Sequence, residues 1–141
     1  MNSKFTPIVK VRKQQMDKIE TLLAKARFQK SELEKKLALT SNEIENTEVP
    51  LSGSISVMVG FRERLDILRK EKARFDEMLS IKINEVNQLQ DKYKRAHMEY
   101  EKIKYLENQD FEEWIEKIKR QEQLDMDEIS NMLFVNKGEM T

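Results

Sequence analysis

Two long runs of this chain share one spacing of apolar positions. Counting in sevens from Phe61 gives Phe61, Leu68, Phe75, Lys82, Leu89, Ala96 and Ile103, and a second set gives Leu65, Lys72, Leu79, Val86, Tyr93 and Tyr100. The earlier run repeats the pattern with Val9, Met16, Leu23, Lys30, Leu37 and Ile44, interleaved with Phe5, Arg12, Ile19, Ala26, Leu33 and Thr40. Two such sets, three and four residues apart, form the seam of a helix wound against another helix. The spacing predicts an all-α protein: a single coiled-coil domain over residues 1–141, with helices at about 6–46 and 58–135 and a hairpin tip at about 47–57. At about 1.5 Å per residue the helices are expected to be roughly 60 and 115 Å long.

Local signals mark the ends. Residues 1–4 read as a loose tail. Thr6-Pro7 reads as a helix start, threonine capping free N–H groups and proline fitting the first turn. Pro50 ends the first helix, because it lacks a donor and keeps its predecessor out of helical geometry. Ser52, Ser54 and Ser56 compete as cap of the second helix, and the apolar stretch Ile55 to Phe61 reads as a tip that closes the seam, with a short strand as the alternative.

A short connection makes two long helices antiparallel neighbours. With Ile44 opposite Phe61, Leu37 meets Leu68, Ala26 meets Leu79, Ile19 meets Val86 and Met16 meets Leu89. The seam cations fall opposite apolar residues, as with Leu23 and Lys82, so no layer joins two positive charges. This register uses up the first helix opposite Tyr100, and about 35 further residues of the second remain as a C-terminal overhang. There most of the sevens land on polar residues, Glu107, Asp110, Lys117, Gln121 and Glu128. A different stripe takes over, Phe111, Trp114, Ile115 and Ile118, followed by a patch of Ile129, Met132, Leu133 and Phe134. These are the anchors expected of a helix that docks in a partner's groove, so Phe111, Trp114, Ile115, Ile118, Ile129 and Leu133 are the candidate binding residues. Trp114 carries two readings of equal weight: it closes the hairpin against the first helix, or it anchors a partner.

Composition narrows the function classes. Charged residues make up 37% of the chain, with Lys and Arg balanced by Asp and Glu, while glycine and proline number three and two. That suits a solvated coiled coil. Zero net charge argues against nucleic acid as a partner. With no cysteine and one histidine, His97, neither a thiolate nor a histidine-pair metal site is available. There is no phosphate loop, no catalytic constellation, no cofactor site and no apolar run of about 20 residues that would span a bilayer. A soluble, cytoplasmic, non-enzymatic protein is expected. Charge is unevenly spread: nine acids and three bases lie between Glu107 and Glu128, and ten bases and four acids between Lys4 and Lys36.

The stretch Lys4-Phe5-Thr6-Pro7-Ile8-Val9-Lys10-Val11-Arg12-Lys13, then Leu23-Ala24-Lys25-Ala26, and near the other end Gln121-Glu122-Gln123-Leu124-Asp125-Met126-Asp127-Glu128-Ile129-Ser130, resemble the FliJ family of the flagellar type III export apparatus. The acidic stretch before Gln121 departs from the family, where more bases are expected. The resemblance implies an antiparallel coiled coil like the central stalk of rotary ATPases. Its implied partners are the hexameric export ATPase (FliI-like), the export gate protein (FlhA-like) and export chaperones, which it helps recycle. The implied location is cytoplasmic and peripheral to the inner membrane, through the gate. The terminal half would enter the ATPase ring, with the tip at 49–60 pointing away. Two other functions fit the residues: the stalk of a virulence type III secretion system, and a self-associating coiled-coil tether.

Overall fold

The computed structural model describes residues 3–139 and contains two α-helices, α1 (Thr6–Glu45) and α2 (Ile55–Glu139), with no strand among the described residues. The protein is therefore all-α, as the seven-residue spacing predicts. Past Pro7 and before Pro50 no proline interrupts α1, and α2 contains none at all. The seam follows the same spacing. Val9, Leu23, Ala26, Leu33 and Thr40 on α1, and Leu68 and Val86 on α2, are buried, and each belongs to one of the two expected sets.

The ends differ from expectation in instructive ways. Ser3, placed in a loose tail by the sequence, is buried. Its carbonyl accepts the Thr6 N–H at 3.1 Å and its hydroxyl oxygen accepts the Phe5 N–H at 3.1 Å. Ser3 thus does the capping expected of Thr6, and Thr6 is already the first helical residue. At the other end of α1 the Thr47 hydroxyl turns back to donate to the Glu43 carbonyl at 2.5 Å, satisfying a carbonyl that the helix leaves open.

Helix α2 begins at Ile55, three residues before the expected start, because Ser54 takes the cap position. Its carbonyl accepts the N–H groups of Val57 and Met58 at 3.1 and 3.3 Å, and its hydroxyl pairs with that of Ser56 at 2.7 Å. Gly53 precedes it with φ of +154°, a backbone region open to glycine and costly for other residues. A Cβ there would also press on Val57 at 3.3 Å. The expectation that residues 55–61 form a tip closing the seam is corrected. Ile55, Val57, Met58 and Val59 are exposed on the opening turns of α2, and half-buried Phe61 is the first residue to face the seam.

The chain divides into two compact units, Met16–Arg95 and the described parts of Met1–Gln15 with Ala96–Thr141. In the first, Leu23 and Ala26 of α1 and Val86 of α2 form a buried cluster, with Leu89 and Tyr93 packed against it. Further along α1, Gln29 accepts a hydrogen bond from the Lys82 ammonium at 2.8 Å. Numbers rise on α1 while they fall on α2, so the two helices of this unit run antiparallel. The expected register is corrected by about one heptad: Ala26 packs with Val86 rather than Leu79, which sets Leu23 against apolar Leu89 instead of Lys82 and leaves Lys82 free to reach Gln29. Lys82 sits on the seam, and its ammonium is held at the edge by Gln29 and by Glu85 at 2.7 Å. Buried Thr40 donates to the Lys36 carbonyl at 2.9 Å, so its hydroxyl is satisfied within its own helix.

In the second unit the cover over α2 reaches further than expected. It passes Tyr100, because Ser3 donates to the Asp110 carboxylate at 2.6 Å and Glu107 is buried. From Glu112 to Gly138 every residue is exposed, so the overhang starts after Phe111.

Two substitutions test this arrangement. Val86→Asp places a carboxylate in the cluster of Leu23 and Ala26 and should cost about 3 kcal/mol or more, read as a lower urea midpoint by circular dichroism. Gly53→Ala should cost about 1–3 kcal/mol through backbone strain, with helix content before unfolding unchanged.

Candidate docking surface on the second helix

The surface is built from one uninterrupted helix. Because α2 stays helical to Glu139, residues 18 apart return to the same face after about five turns. Phe111 and Ile129 form such a pair, as do Trp114 and Met132, and Ile115 and Leu133. The two apolar groups predicted from sequence therefore lie on one line, the second repeating the first. Phe111 is half-buried at the end of the covered stretch. Trp114 (39%), Ile115, Ile118, Ile129 and Leu133 are all exposed. Phe134, grouped with the second patch from sequence, falls on the opposite side of the helix by the same arithmetic. The line also runs through Glu122 and Asp125, midway between the patches. From sequence these two carboxylates are only members of the acidic stretch; the 18-residue repeat is the signal that puts them on this face.

A polar cluster forms the base of this surface. The buried Glu107 carboxylate accepts a hydrogen bond from the Lys104 ammonium at 3.0 Å. That bond holds the Glu107 pKa below the usual carboxylate range; burial opposes it, and the nearby Thr6 hydroxyl assists. The buried Thr6 hydroxyl makes no hydrogen bond of normal geometry among the described residues, so its help is that of a dipole beside the charge. Lys104 is raised in turn, first by the hydrogen bond from its ammonium to Glu107 and then by that carboxylate's charge, with burial opposing. Glu107 and Asp110 continue the seven-residue count, and their partners Thr6 and Ser3 lie at the start of α1. Only the folded chain reveals that polar residues extend the seam here.

His97 is exposed, with its Nε2 3.6 Å from a Glu101 carboxylate oxygen. Among the described residues no group of three or more histidines and acids could hold a metal ion, and no helix is long and apolar enough to cross a membrane.

Comparison with family models matches residues 1–139 to the family described as Flagellar FliJ protein. The chain belongs to the FliJ family. It is accordingly a component of the flagellar export apparatus, from a family that does no enzymatic chemistry there. No curated protein and no solved structure matches the chain. The resemblance read from Lys4–Lys13 and Gln121–Ser130 is thereby established over nearly the whole length.

The Glu107 cluster sets a pH dependence. A carboxylate whose folded pKa is depressed contributes stability above its unfolded pKa and loses it as pH falls through the folded value. A lysine raised by the same contact contributes below its unfolded pKa and loses it as pH rises through the folded value. Glu107→Gln should therefore lower the melting temperature at neutral pH. The gap to the unmodified protein should close as pH is taken below the carboxylate range, as followed by circular dichroism.

Proposed function

We propose that this FliJ-family chain is a stalk-like coiled coil that binds and stimulates the hexameric export ATPase (FliI-like), with the overhang of α2 as its docking element. The supporting observation is the exposed apolar face from Trp114 to Leu133 on a helix that its own chain leaves bare. Exposed apolar residues aligned along one helix face are the usual anchors of a helix in a groove. Phe111, Trp114, Ile115 and Ile118 supply the first anchor, and Ile129 and Leu133 the second. Tryptophan is enriched where binding energy concentrates, which favours the anchor reading of Trp114.

A helix pair without chemistry of its own stimulates a ring by binding one conformation of its subunits better than another. The family further implies contact with the export gate protein (FlhA-like), a share in recycling export chaperones, and a cytoplasmic location peripheral to the inner membrane. Among the described residues no helix is long and apolar enough to cross a bilayer.

Trp114→Ala with Ile118→Ala should weaken binding to purified export ATPase about 30-fold or more, the scale of a lost hot spot. ATPase stimulation should fall with it, while thermal unfolding stays within a few degrees of the unmodified chain. Unchanged binding with a sharply lowered melting temperature would sink the proposal and make Trp114 part of the fold.

A further inference from the structure

The docking face carries two carboxylates where a simple apolar helix face would carry none. Glu122 and Asp125 lie on the line joining the two patches, and both are exposed. Asp125 accepts a hydrogen bond from the Gln121 amide at 3.0 Å. Glu122 has no hydrogen-bond or ion-pair partner among the described residues. From Gln121 to Asn136 the chain has four acids and no base, so nothing on this stretch neutralises them.

The occupant that an exposed apolar helix most readily attracts is a second copy of itself, and the carboxylates oppose it. If two tails pair in parallel and in register, Glu122 meets Glu122 and Asp125 meets Asp125. If they pair antiparallel, with Phe111 opposite Leu133 and Ile115 opposite Ile129, Glu122 again meets Glu122 at the centre. Both of these pairings, which match the two patches along their whole length, bring like charges together as water leaves, which is unfavourable. The same placement favours a partner of opposite charge, because desolvated carboxylates are stabilised by guanidinium or ammonium groups held against them.

We infer that the tail docks in a protein groove with two apolar pockets, about 27 Å apart for 18 helical residues, separated by a stretch lined with lysine or arginine. Glu122 and Asp125 select that groove over a second tail. The inference rests on the proposed function for which protein carries the groove, namely the export ATPase ring. It adds the chemistry of the recognising surface and the reason the tail stays unpaired.

The test compares the full chain with Glu122→Gln/Asp125→Asn and with Glu122→Leu/Asp125→Leu. Purified export ATPase is titrated at low and high salt, and sedimentation velocity is run over a range of concentrations without the ATPase. The unmodified chain should bind at least tenfold more weakly at high salt and sediment as a monomer. The amide variant should keep its helix content, bind at least tenfold more weakly at low salt and lose most of its salt dependence. The leucine variant, with its stripe now continuous, should dimerise as concentration rises. An amide variant equal to the unmodified chain in affinity and salt response overturns the inference and leaves the proposed function standing. Failure of the unmodified chain to bind overturns the proposed function instead, and with it the basic groove. The sedimentation arm then decides the role of the carboxylates alone: a self-associating unmodified chain or a monomeric leucine variant overturns it.

Discussion

Everything in this protein depends on a seam of side chains repeating every seven residues and shared by two helices of unequal length. Helix α1 has 40 residues and α2 has 85. Helices rise by the same amount per residue, so α1 can cover no more than about half of α2. The covered half obtains its stability within the chain, through layers such as Leu23, Ala26 and Val86. The uncovered stretch after Phe111 keeps helical geometry while its apolar residues face solvent, and a helix of that kind is normally completed by something else.

The seam is not purely apolar, and its polar members show how such a structure tolerates them. Thr40 bonds a carbonyl of its own helix, Lys82 carries its charge to Gln29 and Glu85 at the edge, and Glu107 is held by Lys104. Each polar group reaches a partner without pushing the helices apart. Asp110 is a further case, met by the Ser3 hydroxyl. These contacts bring the start of the chain against α2 and define where the bare surface begins.

That surface is suited to recognition. In the proposed docking, two apolar patches in the same rotational position would give a partner two points of hold, and the carboxylates between them would give it a sign.

The sequence by itself determined the two helices, the residues on the buried face, the break around Pro50 and the apolar tail, because helical periodicity is local and each is written in the order of neighbouring residues. It also carried the family, since the stretches at both ends survive as linear patterns. The termini of the helices needed the tertiary structure. Three serines had equal claims to cap α2, and the choice fell to Ser54 through the path of the chain at Gly53. Ser3 and Glu107 were legible only as polar residues, since a burial made by contacts more than 100 positions apart leaves no local trace. How far α1 covers α2 was settled in the same way, by what the first residues touch after folding. So the overhang itself was readable from the difference in helix lengths, but its starting point after Phe111 was decided by Ser3 and Thr6 meeting Asp110 and Glu107 in space.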